Sequence, residues 1–211
     1  MLVYYTTLLI LSALIHILTS SRKSGFIFAF FTFFKVLTTS LIILYVIFNA
    51  PNFSLYASLI VLGLCFSLFG DAFLLSQRYF THGLVAFLIA HIFYIIGFYL
   101  LQTSYSLILI LPILLYGVGF YCLLFSKLGN DKAAVAIYIL IISIMGYLAI
   151  NAFIGRSQST ESLIFAGAIL FMLSDSILAW DKFKMPMKQA TLWIMSTYYL
   201  AQWLIGLSVI Y

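Results

Sequence analysis

Long apolar stretches separated by short polar breaks run along the whole chain. Each stretch is close to the ~20 mainly apolar residues that a membrane-spanning helix needs. Transmembrane β-strands would instead be ~10 residues long and would alternate in polarity, which these stretches do not. The pattern therefore predicts an all-α polytopic membrane protein with eight transmembrane helices. The predicted helices are Leu2–Leu18, Gly25–Phe48, Leu55–Leu75, Gly83–Leu101, Ser106–Leu124, Ala133–Ala152, Ser162–Trp180 and Gln189–Ile210.

The composition agrees with this class. Of 211 residues, 65% are hydrophobic and only 7% are charged, which excludes a soluble domain with a solvated surface. Eight helices with short loops use the entire chain, so we expect a single integral membrane domain, residues 1–211. Cys65 and Cys122 fall inside predicted helices without redox or metal-binding spacing, and we interpret them as small core side chains.

The basic residues lie almost entirely in the first, third, fifth and seventh loops, and Arg156 lies in a loop on the other side. The residues of the odd loops are Arg22, Lys23, Arg78, Lys127, Lys132, Lys182, Lys184 and Lys188. By the positive-inside rule these loops are cytoplasmic and both termini are non-cytoplasmic. This topology accounts for the net charge of +5, so we expect no nucleic-acid partner. Short loops and small size favour a bacterial inner membrane.

Two aspartates, Asp71 and Asp175, lie inside predicted helices in nearly identical apolar settings. Carboxylates in the hydrocarbon core are costly and usually functional. Both are candidate catalytic residues. Because the two settings are about half a chain apart, the similarity also predicts two parallel four-helix halves, residues 1–104 and 105–211.

The predicted topology places these carboxylates at the same depth. Asp71 and Asp175 are each about six residues, or ~9 Å, from the cytoplasmic end of their helix. Lys35, His91 and Tyr199 fall at comparable depths on three other helices. We therefore expect all five side chains to meet in one cavity toward the cytoplasmic leaflet.

Further polar side chains share helix faces with this group at spacings of three or four residues. They are expected to turn inward, away from lipid. The candidate substrate-binding or supporting residues are Lys35, Thr39, Ser67, His91, Tyr94, Ser174, Tyr199 and Gln202.

A purely structural interpretation is that Lys35 pairs with one aspartate and fixes the helix register. It accounts poorly for the second carboxylate, since one lysine compensates one negative charge. Two carboxylates in one apolar cavity should differ, with one holding its proton and the other ionised near Lys35. This arrangement places an acid beside a base.

Two other functions use the same residues. His16, His82 and His91 with an aspartate could hold a zinc-bound water, but their spacing is not that of helical ligands, so we expect no metal and no cofactor. A proton-coupled transporter of small molecules or lipids could use either aspartate. Such transporters often break helices at Gly or Pro, whereas only Pro112 lies within a predicted helix.

Four sequence blocks, in order along nearly the whole chain, carry a family resemblance. They are Phe69–Leu75, Ala86–Tyr94, Gly167–Ala179 and Tyr198–Ile205. They resemble the signature blocks of the YhhN-like membrane proteins, whose characterised members are lysoplasmalogenases. One departure is Lys35-Val36, where the family more often has Lys-Pro; the helix kink is lost, but Lys35 is retained.

The resemblance implies hydrolysis of the vinyl ether bond of a lysoplasmalogen, a lysophospholipid that arrives from the bilayer. The products would be a fatty aldehyde and glycerophosphoethanolamine or glycerophosphocholine. A vinyl ether hydrolyses when its outer alkene carbon is protonated and water captures the oxocarbenium ion. This step needs a general acid, which one of Asp71 and Asp175 would supply while the other stabilises the cation and activates water. The sequence does not decide which aspartate has which role.

Overall fold

The computed structural model describes residues 2–19, 25–51 and 53–211, and within these ranges it contains eight α-helices and no strand. The prediction of an all-α fold is confirmed. The helices are α1 (Leu2–Thr19), α2 (Gly25–Asn49), α3 (Leu55–Phe73), α4 (Phe80–Tyr99), α5 (Ile110–Phe125), α6 (Lys132–Gly155), α7 (Ser159–Ala179) and α8 (Ala190–Leu207). Arg22 and Lys23, which the topology prediction used, lie outside the described residues.

Six helical segments within the described ranges are long and apolar enough to cross a membrane. They are Thr32–Asn49, Leu55–Phe73, Gln77–Tyr99, Leu107–Phe125, Gly129–Gly155 and Ser159–Lys184. The helices α1 and α8 are not among them. Eight spans, and the side of the membrane on which the termini lie, therefore stay predictions.

The helix ends differ from the predicted boundaries by a few residues. At the end of α7 the sequence predicted a loop from Asp181, but a π-helical turn, Trp180–Lys184, continues the helix. The Met185 N–H donates to the Trp180 carbonyl at 3.0 Å, which is the five-residue spacing of a π-turn. The Asp181 carboxylate then accepts the Met187 N–H at 2.7 Å and fixes the chain beyond the turn. The helical segment that begins with α7 therefore extends four residues beyond the predicted end, to Lys184, and its last turn is π-helical.

The helices pack in an order that repeats along the chain. In the first four, α1 packs on α2, α2 on α3, and α3 on α4; in the last four, α5 packs on α6, α6 on α7, and α7 on α8. The two groups meet where α4 packs on α6 and α8 packs on α2. This order is compatible with two halves, residues 1–104 and 105–211, which stay a prediction.

Glycines permit the close contacts between the helices that carry the aspartates and their neighbours. On α3, Gly63 packs against the Tyr94 ring and Gly70 against the Phe87 ring, both on α4. On α7, Gly167 packs against the backbone of α8. Small residues let membrane helices approach closely, and dispersion then supplies much of the packing energy. The positions of Asp71 and Asp175 thus depend on these two tight helix pairs.

We predict that Gly63→Ala destabilises the protein by about 1–3 kcal/mol, because an added methyl group would overlap the Tyr94 ring. The matched control is Gly119→Ala on α5, where an added Cβ meets nothing within 4 Å. Thermal unfolding in detergent measures both variants. Equal unfolding temperatures for the two would contradict the packing described here.

Candidate active site

Asp71 on α3 is fully buried, and three side chains from two other helices surround its carboxylate. Lys35 Nζ on α2 lies 3.5 Å from Asp71 Oδ1. Asp71 Oδ2 accepts a hydrogen bond from Thr39 Oγ1 on α2 at 2.6 Å and another from the Tyr198 hydroxyl on α8 at 2.7 Å. A buried carboxylate with a lysine partner and two hydroxyl donors has its charge compensated. We call these four residues the Asp71 network.

Asp175 on α7 has different surroundings. Its Oδ2 accepts a hydrogen bond from the Tyr138 hydroxyl on α6 at 2.6 Å. The same oxygen lies 3.8 Å from His91 Nε2 on α4, which is beyond hydrogen-bond distance. Within the described ranges, no lysine or arginine forms an ion pair with Asp175. Asp175, Tyr138 and His91 form what we call the Asp175 network, which has no permanent positive charge.

An apolar cavity of about 210 Å³ adjoins Asp175 and is lined by residues of α4, α5, α6, α7 and the π-helical turn. Its walls include Leu84, Leu88 and Ile142. Asp175 is the one carboxylate among the described residues that line it, and 12% of its side chain is exposed. A single carboxyl group therefore lies in the lining of an otherwise mainly apolar cavity.

The two carboxylates do not share this cavity, contrary to the expectation from the sequence. Asp71 is not among the lining residues. The Phe171 ring joins the two networks, with its centroid 5.6 Å from that of Tyr198 and 4.6 Å from that of His91. The position of each aspartate along its helix could be read from the sequence, but the direction in which the helix turns that residue could not. The two networks are neighbours across an aromatic ring.

Three of the predicted supporting residues contact an aspartate. Lys35 and Thr39 contact Asp71, and His91 lies beside Asp175.

The other predicted residues lie farther from the carboxylates or bind elsewhere. The Tyr94 hydroxyl donates to Gln202 Oε1 at 2.7 Å and joins α4 to α8. Ser67, one turn before Asp71, is fully buried on α3. Two predicted residues have other partners: the Tyr199 hydroxyl is 2.8 Å from His16 Nδ1, and Ser174 Oγ donates to the carbonyl of Ile194 at 3.0 Å.

Sequence reasoning missed Tyr198 and Tyr138, each of which donates a short hydrogen bond to an aspartate. The sequence could have indicated Tyr198, because it lies one helical turn before Gln202, but its neighbour Tyr199 was predicted instead. Nothing in the sequence distinguishes Tyr138, which is one of 15 tyrosines in a chain rich in aromatic residues.

The proposed zinc arrangement of three histidines and an aspartate is not present. His16 lies against Tyr199, His82 packs on the Tyr79 ring at 5.7 Å, and His91 lies beside Asp175. Among the described residues, no three His, Cys, Asp or Glu side chains are close enough together to hold a metal ion.

Comparison with known proteins adds to the geometry. A family model described as the YhhN family matches residues 30–209. The chain is 37% identical over 163 residues to lysoplasmalogenase TMEM86A of Bos taurus, and the match covers 73% of this chain and 66% of that protein. It is 36% identical over 160 residues to lysoplasmalogenase TMEM86A of Homo sapiens, with the same coverage of 73% and 66%. The chain thus spans just under two thirds of these relatives' length.

A bacterial protein is also similar. The uncharacterized membrane protein YhhN of Escherichia coli O6:H1 is 29% identical over 147 residues, which cover 68% of this chain and 70% of that protein. No solved structure matches the chain. The apolar helices and these membrane-protein relatives together identify an integral membrane protein.

We predict that Lys35→Ala lowers the free energy of unfolding by about 3–5 kcal/mol, because it leaves the Asp71 carboxylate buried without its cation. Adding Asp71→Asn to Lys35→Ala should restore part of this loss, since it removes the uncompensated charge. Thermal unfolding in detergent measures both variants, with exposed Lys127→Ala as the control. An unfolding temperature for Lys35→Ala equal to that of Lys127→Ala would show that the ion pair does not stabilise the fold.

Proposed function

The chain belongs to the YhhN family, and we propose that it is a lysoplasmalogenase. It would hydrolyse the vinyl ether bond of a lysoplasmalogen to a fatty aldehyde and glycerophosphoethanolamine or glycerophosphocholine. Relatives named lysoplasmalogenase support the activity. The main observation behind the proposal is that a single carboxyl group, Asp175, lines an apolar cavity suited to an alkenyl chain.

In the first step Asp175 acts as the general acid. Its proton is transferred to the alkene carbon farther from the ether oxygen, and the alkene electrons form the new C–H bond. An oxygen lone pair then completes the oxocarbenium ion. The Asp175 carboxylate that remains stabilises this cation electrostatically inside an apolar site, where such interactions are strong.

In the second step Asp175 acts as the base. Water attacks the oxocarbenium carbon, and the carboxylate takes the proton that the water loses. The bond between the hemiacetal carbon and the glycerol oxygen then breaks, the glycerol oxygen takes up the proton that the hemiacetal hydroxyl loses, and the aldehyde is released. One water molecule is consumed, and Asp175 ends the cycle with its proton restored.

Two side chains orient the Asp175 carboxyl group for these proton transfers. The Tyr138 hydroxyl donates to Oδ2 at 2.6 Å and fixes the orientation of the carboxyl group. His91, 3.8 Å away and in contact with the Phe171 ring, prevents the carboxyl group from turning toward α4. Both are positioning residues in this mechanism.

Asp71 is the second carboxylate, which stays ionised while Asp175 gives and takes the proton. Lys35 at 3.5 Å compensates its charge, so Asp71 is the carboxylate that stays deprotonated throughout the cycle. It acts through its contacts: Asp71 holds Tyr198, and Tyr198 packs against Phe171 beside His91. The ionised Asp71 thereby fixes the side chains that pack against His91. The basic loops support a site toward the cytoplasmic leaflet, and the short loops and small size support a bacterial inner membrane.

We predict that purified protein releases fatty aldehyde from a vinyl-ether lysolipid and releases no fatty acid from the matching acyl lysolipid. An ester offers no alkene carbon to protonate, so the acid at Asp175 has nothing to act on. Well-folded protein that acts on neither lipid would contradict the proposal. Substrate flux into liposomes without product would then favour the transporter.

We predict that Asp175→Asn lowers kcat by about 10²–10⁴-fold, the usual contribution of a general acid or base. Tyr138→Phe should lower it by only about tenfold, since it removes one orienting hydrogen bond. Asp71→Asn should lower both kcat and the unfolding temperature, because that network also joins three helices. The control is exposed Asp131→Asn, which should behave as wild type. Turnover by Asp175→Asn within a few-fold of wild type would refute the assignment.

A further inference from the structure

A lysophospholipid carries a phosphate group, and the Asp71 network does not supply the cation to bind it. Lys35 is only 5% exposed and is paired with Asp71. A lysine whose charge is already compensated by a buried carboxylate has little attraction left for a second anion. The cation for the headgroup must therefore come from another part of the chain.

The π-helical turn brings two lysines to the end of the apolar cavity. Phe183, the fourth residue of the turn, lines the cavity, and Lys182 and Lys184 lie on either side of it in sequence. Lys182 Nζ lies 4.3 Å from the centroid of the Phe80 ring, and Phe80 also lines the cavity. Lys182 is therefore at the rim of the cavity.

The second lysine reaches the same rim from the other side. Lys184 Nζ donates to the carbonyl of Leu123 on α5 at 2.8 Å. Leu123 lies one helical turn beyond Phe120, which lines the cavity. The two ammonium groups thus flank the end of the cavity where α4, α5 and the π-helical turn meet.

The hydrogen bonds that the two ammonium groups donate in the structure go to neutral acceptors. Lys182 Nζ donates to the side-chain oxygen of Gln77 at 3.0 Å, and Lys184 Nζ to a backbone carbonyl, both neutral acceptors. No carboxylate within the described ranges forms an ion pair with either lysine. The acid in this turn, Asp181, accepts a backbone N–H instead. An ammonium group has three donors, so each lysine retains donors for a ligand.

The spacing between the lysines and Asp175 fits one substrate molecule. Lys182 is seven residues beyond Asp175, which corresponds to roughly 10 Å along a helix. Seven bonds separate the protonated alkene carbon from the phosphorus atom, about 9 Å when extended. An alkene held at Asp175 therefore places the phosphate at the rim of the cavity.

We propose that Lys182 and Lys184 bind the phosphate of the lysolipid headgroup while the alkenyl chain occupies the apolar cavity. This inference rests on the proposed function for its substrate class. Lysine binds phosphate as a point charge, so the site selects lipids with a phosphodiester over neutral glycerol ethers. Choline and ethanolamine extend beyond the phosphate, away from the two lysines.

Binding of saturated ether lipids tests this inference without any need for turnover. The ligands are a 1-alkyl-glycerophosphocholine and the matching 1-alkylglycerol, which lacks the phosphate. Wild type should bind the first more tightly, and Lys182→Gln with Lys184→Gln should weaken that binding about tenfold or more. Binding of the 1-alkylglycerol should not change. Arg156→Gln, at an exposed position at the opposite end of α6, is the matched control and should bind both ligands as wild type.

A second variant guards against a folding defect. Lys182→Arg with Lys184→Arg keeps both charges and should bind the phosphate ligand within a few-fold of wild type. Unchanged phosphate binding in the glutamine variant would overturn the inference. Equal weakening for both ligands would also overturn it, because it would mean that the lysines serve the fold or the bilayer surface. Failure of the proposed function is separate, since it would appear as intact binding without release of aldehyde from the vinyl ether.

Discussion

The cost of burying a carboxylate in an apolar environment governs the arrangement of this protein. The fold meets that cost in two ways. Asp71 receives a lysine and two hydroxyl donors and keeps a compensated charge. Asp175 accepts one hydrogen bond from a tyrosine hydroxyl and lies 3.8 Å from a histidine nitrogen, without a permanent cation. In the proposed function, this asymmetry separates a fixed charge from the carboxyl group that exchanges a proton, although the local sequences around the two aspartates are similar.

Helix packing connects the two sites. Tight contacts at glycines hold α3 against α4 and α7 against α8, so each aspartate has a defined position. The Phe171 ring, fully buried, contacts Tyr198 of one network and His91 of the other. The Phe171 ring is therefore a contact that the two networks share. In the proposed enzyme, the Asp71 network positions the side chains that pack against His91, while Asp175 performs the chemistry.

Much of the fold could be predicted because apolar runs without internal breaks leave a helix as the one option in lipid. The helix ends were less certain, since the π-helical turn at Trp180–Lys184 depends on hydrogen bonds that no spacing rule reveals. The YhhN resemblance, read from four blocks, is confirmed by the family model over residues 30–209. Contacts of Lys35, Thr39 and His91 with an aspartate followed from charge and helical depth. Tyr138 and the separation of the two networks did not, because depth along a helix does not fix its rotation.

In the proposed reaction Asp175 protonates an alkene carbon, and the fate of that proton can be followed with deuterium. Wild-type protein turns over a vinyl-ether lysolipid in D₂O, and the aldehyde is reduced to an alcohol as it forms, before its own protons exchange. We expect one deuterium at the carbon next to the former carbonyl, and loss of this product with Asp175→Asn. Preformed aldehyde, treated in the same way, is the control and should remain unlabelled. An enzymatic product without deuterium at that carbon would exclude protonation of the alkene carbon.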